Sequence, residues 1–107
     1  MKLERFEKVR KTKTVRVGGR CDYLYISAGF GREIDKKWCD VYYNIDERVI
    51  VLRFRDEGDS NSYVVRDAKD GSAKQVACRA LIKEMGLKGG DRAKKVEWKD
   101  GELWTWW

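Results

Sequence analysis

The stretch Val96–Trp107, "VEWKDGELWTWW", restricts the fold more than any other part of the chain. Two runs of alternating apolar and polar residues flank Lys-Asp-Gly, the signal of a tight antiparallel hairpin. Three of the five tryptophans lie in the last four residues, and so much open aromatic surface is costly on a free monomer. The tail is therefore expected to close a core as a strand. Period-two alternation places Leu103, Thr105 and Trp107 on one face, with Trp104 and Trp106 on the other. Two adjacent rings on an open face invite association, so the expectation is that Trp104 and Trp106 are buried and Trp107 faces outward.

A helix precedes this hairpin. Ala77, Leu81 and Met85 form an i, i+4, i+8 stripe in "QVACRALIKEMGLKGGD", widened by Cys78 and Ile82. Gly86 fits the residue just past a helix end, with Leu87 closing a Schellman contact. The first half repeats the order: "YLYIS" reads as a strand, "AGFGREI" as one or two helical turns, then "VYYNI", a "DER" turn and "VIVLRFR". Aligning Asp40 with Asp91 sets Ile34 against Met85 and Phe30 against Leu81. A two-residue shift then sets Tyr43 against Val96 and Ile50 against Leu103. "TKTVRV" and "YVVRD" read as further strands, and "DEGDSNS" as the loop between the halves. Proline is absent, which suits continuous strands joined by short polar turns. The expected fold is α+β, mainly β: a small barrel or sandwich of two pseudo-repeated β–α–β–β units. These span about 20–55 and 63–107 within one domain of 107 residues, after a basic arm at 1–20.

The segment Ala77–Asp91 resembles the core of the SpoVT/AbrB-type swapped-hairpin domain, through Leu81, Met85, Gly86, Leu87, Gly90 and Asp91. The first half matches at Ile26, Phe30, Ile34 and Asp40. Cys78 and Ser27 stand where the family has proline, and Ile82 and Gly31 where it has its helix arginine. The resemblance implies an interleaved barrel that grips DNA, here assembled by one chain from its own two units. With both arginines missing, none of the family's DNA contacts is carried over.

Charge supplies the functional signal. Residues 1–20 hold eight Lys/Arg and two Glu, which accounts for the entire net charge of +6. Such a cluster attracts phosphates and gains affinity by releasing their counterions. Lys8, Arg10, Lys11, Lys13, Arg16 and Arg20 are the candidate phosphate contacts. Tyr42, which alternation separates from the core-side Val41, Tyr43 and Ile45, is the candidate exposed aromatic. The leading expectation is a small regulator-like nucleic-acid-binding protein, of the kind phages and mobile elements encode, docking on duplex DNA through this arm. The alternative is a non-catalytic inhibitor or adaptor that meets a protein partner through exposed aromatic and arginine side chains.

Enzymatic chemistry finds little footing. The chain has no histidine, the commonest general base and metal ligand, and no nucleophile elbow, zinc-protease helix or P-loop. Cys21, Cys39 and Cys78 are odd in number and widely spaced, which predicts reduced thiols rather than a disulfide frame or a zinc site. No catalytic residue, metal or cofactor is expected. No apolar run reaches the roughly 18 residues of a membrane span, and "MKLERFEKVRKTK" lacks the apolar core of a secretory signal. A cytoplasmic protein without a membrane partner is expected; its oligomeric state stays open.

Overall fold

The computed structural model describes residues 1–5, 13–68 and 71–107. Lys8, Arg10 and Lys11 of the arm lie outside the described residues. Ten elements follow one another: β1 (Val15–Gly18), β2 (Tyr23–Ile26), α1 (Ala28–Gly31), β3 (Trp38–Asn44), β4 (Val49–Arg55), β5 (Tyr63–Ala68), β6 (Ala73–Val76), α2 (Arg79–Glu84), β7 (Lys95–Lys99) and β8 (Glu102–Trp106). All pairings are antiparallel, in the order β1-β2-β6-β5-β3-β4-β8-β7. The sheet curls until the segment before β7 meets β1. Val17 N–H donates to Asp91 C=O at 2.8 Å, Gly90 N–H to Val17 C=O at 2.9 Å, and Ala93 N–H to Val15 C=O at 2.9 Å. The result is a nearly closed barrel, mainly β as the sequence implied.

Local chemistry explains the element ends. Asp100 and Gly101 form the two-residue turn between β7 and β8, with φ of +50° and +76°, the left-handed pair that a twisted hairpin needs. After α2, Gly86 sits at φ +67°. Leu87 N–H reaches Ile82 C=O at 3.0 Å, and Gly86 N–H reaches Lys83 C=O at 3.0 Å. This is the Schellman end expected from the sequence. The helix itself is shorter than the stripe suggested. Gln75 and Val76 belong to β6, Cys78 is the N-cap residue, and Ala77 is exposed. An extra strand therefore sits where the second half reads, from sequence alone, as opening directly into helix.

The core is one cluster. Val15, Val17, Leu24, Ile26, Ile50, Leu52, Val76 and Leu103 line its walls, while Phe30, Ile34, Leu81, Ile82 and Met85 plug it from the two helical segments. The tail contributes with the opposite face from the one expected. Leu103 and Thr105 are fully buried and Trp107 is 6% exposed, whereas Trp104 and Trp106 are only partly covered. Trp107 Nε1–H donates to Thr105 Oγ1 at 2.7 Å, and that hydroxyl donates to Ile50 C=O at 2.8 Å. Thr105 thereby satisfies the indole and turns a polar side chain into a core residue. On these two rings cations take the place that core contacts were expected to fill. Lys95 Nζ lies 5.0 Å from the Trp106 ring and Lys99 Nζ 4.6 Å from that of Trp104, and the two indoles stack at 6.0 Å.

Tyr43, also expected in the core, is 53% exposed. Its alternation with Val41 and Ile45 is real, but β5 pairs with β3 only at Trp38 and Cys39. Among the described residues no strand flanks this side of β3 beyond Cys39; Val41 still packs against the core, but Tyr43 and Ile45 lie past it at an open edge.

This packing makes opposite demands on neighbouring tryptophans. Trp107→Ala should cost about 3–5 kcal/mol in denaturant unfolding, the range for truncating a buried large aromatic. Trp106→Ala should remove mainly an outer-face cation–π interaction of ~0.5–1 kcal/mol. Equal losses would contradict the assigned faces.

Candidate nucleic-acid interface

The strand register converts the barrel exterior into a grid. Val15, Val17, Leu24, Ile26, Val65 and Val76 point inward and are buried, so their strand neighbours point outward. Reading across the paired strands gives one exterior row: Arg92, Arg16, Tyr25, Gln75, Arg66. Four strand-to-strand steps make it about 19 Å long. It contains no acidic residue. Among the described residues none of Arg16, Arg66 and Arg92 has an ion-pair partner. Arg16 and Arg92 stand directly opposite one another across the closing seam, an arrangement of like charges that disfavours the pairing itself. Arg16 stands over the Tyr25 ring, 4.4 Å from guanidinium carbon to centroid. That contact fixes the guanidinium on the barrel surface.

The other half of the exterior is chemically opposite. Its rows read Asp40–Arg53–Glu102–Lys99, Tyr42–Val51–Trp104–Glu97 and Asn44–Val49–Trp106–Lys95. Here the charges neutralise one another. Arg53 Nε meets Glu102 at 2.8 Å, Arg55 meets Asp40 at 2.9 Å, and Lys95 and Lys99 meet Glu97 at 3.0 and 3.5 Å. The hydrogen bond from Lys95 holds the Glu97 carboxyl below the usual carboxylate range. Arg53 covers the Tyr42 ring at 4.9 Å. The aromatics of this half are thus already supplied with cations from their own surface.

The sequence candidates divide between these halves. Arg16 stands on β1 at the seam, Arg20 is exposed in the β1–β2 turn, and Lys13, exposed ahead of β1, lies 6.0 Å from the Phe30 ring. Tyr42 is 47% exposed but sits on β3, four strands away from β1 in sheet order; the fold does not bring it to the arm. Arg66, Gln75 and Arg92 join the row although nothing in the sequence singles them out. A cleft of about 340 Å³ opens beside Arg92, lined also by Arg48, Leu87, Asp91, Lys94 and Trp107. Arg48 is partly committed there, since its Nη1 donates to Met85 C=O at 2.6 Å at the end of α2.

No helix among the described residues is long and apolar enough to cross a membrane. No family model, curated protein or solved structure matches the chain. The surface is therefore read from its own chemistry.

The thiols are divided: Cys21 follows Arg20 in the β1–β2 turn, and the other two are interior. All three cysteines are free, with Cys39 and Cys78 buried and Cys21 partly exposed. Burial pushes the Cys39 and Cys78 thiols up to about 12. Both are held protonated in the fold, so they favour the native state below the ordinary cysteine pKa of about 8.5. That contribution is lost as pH rises from there towards about 12. At pH 8 a disulfide reagent should titrate one thiol in native protein and all three in denaturant. Three fast-reacting thiols without denaturant would contradict the burial.

Proposed function

We propose that this protein is a non-catalytic, regulator-like nucleic-acid-binding module that docks on the phosphate backbone through the β1 side of its barrel. The observation that carries this reading is the acid-free exterior row Arg92–Arg16–Tyr25–Gln75–Arg66. It adjoins the N-terminal stretch that holds the chain's whole positive surplus. Lys13, Arg16 and Arg20, with Lys8, Arg10 and Lys11 from the arm, act as phosphate contacts that set position rather than read bases. Arg66 and Arg92 extend the footprint. The charge-balanced Tyr42 and tryptophan half is less suited to phosphate because its cations are already engaged.

We further infer that the barrel is a duplicated β–β–α–β–β unit, one copy from β1 to β4 and the other from β5 to β8, in keeping with the swapped-hairpin resemblance. Exchanging β1 with β5, β2 with β6, β3 with β7 and β4 with β8 carries the order of neighbours around the barrel onto itself. Within that scheme the bond from Val65 N–H to Lys37 C=O, at 2.8 Å, is the counterpart of the bond from Val17 N–H to Asp91 C=O.

A salt titration with labelled duplex DNA tests the reading. Between roughly 50 and 200 mM salt, affinity should fall by orders of magnitude if several phosphates are neutralised. Replacing Arg16, Arg66 and Arg92 together by glutamine should weaken binding and reduce the salt slope by about one for each phosphate no longer neutralised. The outer-face control Arg53→Gln should leave both unchanged. Absence of binding at the lower salt, or binding indifferent to the three arginines, would refute the assignment.

A further inference from the structure

The open edge of β3 has the geometry of an unfinished sheet. Val65 N–H bonds to Lys37 C=O, and Cys39 lies opposite Tyr63. Because a strand's backbone groups alternate sides, the N–H and C=O of Val41 and Tyr43 turn towards the same flank. There β5 has already departed, and among the described residues no strand meets them. The even positions Asp40, Tyr42 and Asn44 face β4, opposite Arg53, Val51 and Val49. Among the described residues, four of the six large hydrophobics most exposed to solvent lie along or beside this edge: Tyr42, Tyr43, Ile45 and the neighbouring Val64. From Val41 to Ile45 there is no charge, proline or glycine, so the usual guards of a free edge strand are missing.

We propose that this edge pairs with the β3 edge of a second copy of the chain, antiparallel about a two-fold axis at Tyr42. In that register Val41 lies opposite the partner's Tyr43, and Tyr43 opposite the partner's Val41. The free donors and acceptors satisfy one another in four hydrogen bonds, as an isologous contact requires. Tyr42 meets the partner's Tyr42 at a non-hydrogen-bonded position, where side chains approach closely. Asp40 faces the partner's Asn44, so no acid opposes an acid. Asp40 is moreover already held by Arg55 at 2.9 Å and by Ser62 at 2.7 Å. An unrelated extended peptide could use the same donors, but only a second copy supplies this spacing and charge pattern from the chain itself. The contact uses a different strand from the cationic row and does not depend on the nucleic-acid reading.

Cross-linking combined with sedimentation tests it. In a Cys21→Ser background, Tyr42→Cys places two thiols on Cα atoms about 4.5 Å apart, within disulfide reach. Mild oxidation with dissolved oxygen should give a dimer that thiol reagents dissociate, whereas Asn44→Cys should not. The wild-type chain should sediment at twice its 12.6 kDa mass. Val41→Pro removes an edge-facing donor, trims a side chain that packs partly on the core, and should sediment as a folded monomer with unchanged circular dichroism. Tyr43→Lys, a charge on the same edge, should do likewise. A monomeric wild type, a dimer that survives in either folded edge variant, or failure of Tyr42→Cys to cross-link would overturn the proposal.

Discussion

Three backbone hydrogen bonds between β1 and the Gly90–Ala93 segment decide what the remainder of the molecule can be. They join β1, at one end of an eight-stranded sheet, to the segment that leads into β7 at the other, and so cover the β1 edge, which would otherwise be open to association. They also fix the register that sends Val15 and Val17 into the core. The same register leaves Arg16 facing outward, directly across from Arg92. Barrel closure and a concentration of positive charge are one structural event. The fold accepts an unfavourable like-charge pairing at its seam in order to enclose its core, and a bound phosphate would relieve that repulsion.

The exterior shows why this concentration carries meaning. On the β3–β4–β8–β7 face the barrel neutralises itself, as in the row Asp40–Arg53–Glu102–Lys99, where alternate strands bring alternate signs. Even the tryptophans of β8 are covered by Lys95 and Lys99. Against that face, the row of three arginines without an acid stands in contrast.

Much of the fold is legible in the sequence because the determining signals are local. The whole of β4 follows from Val49–Arg55, the two-residue turn from Asp100-Gly101, and the end of α2 from Gly86 and Leu87. What escapes a sequence reading depends on partners distant in the chain. β6 has four residues, two of them Lys74 and Gln75, and merges into the helix pattern that follows. Lys69-Asp70-Gly71 repeats the Lys99-Asp100-Gly101 turn signal and could have revealed it. Ring area alone misassigns the faces of β8, because Thr105 can satisfy the Trp107 indole inside the core. Tyr43 misleads because alternation gives a face, not whether a neighbouring strand covers it. Of the candidate site, Arg16 is visible from charge. Its row mates Arg66 and Arg92 become visible only through strand register.

We propose that the unneutralised arginine pair at the seam is kept for binding rather than for stability. Denaturant unfolding of Arg92→Gln at low and at high salt measures it most directly. Removing the like-charge repulsion should raise the unfolding midpoint at low salt, and the gain should fade as salt screens the charges. A lower midpoint at both salt concentrations would show that Arg92 stabilises the barrel, and would contradict the account.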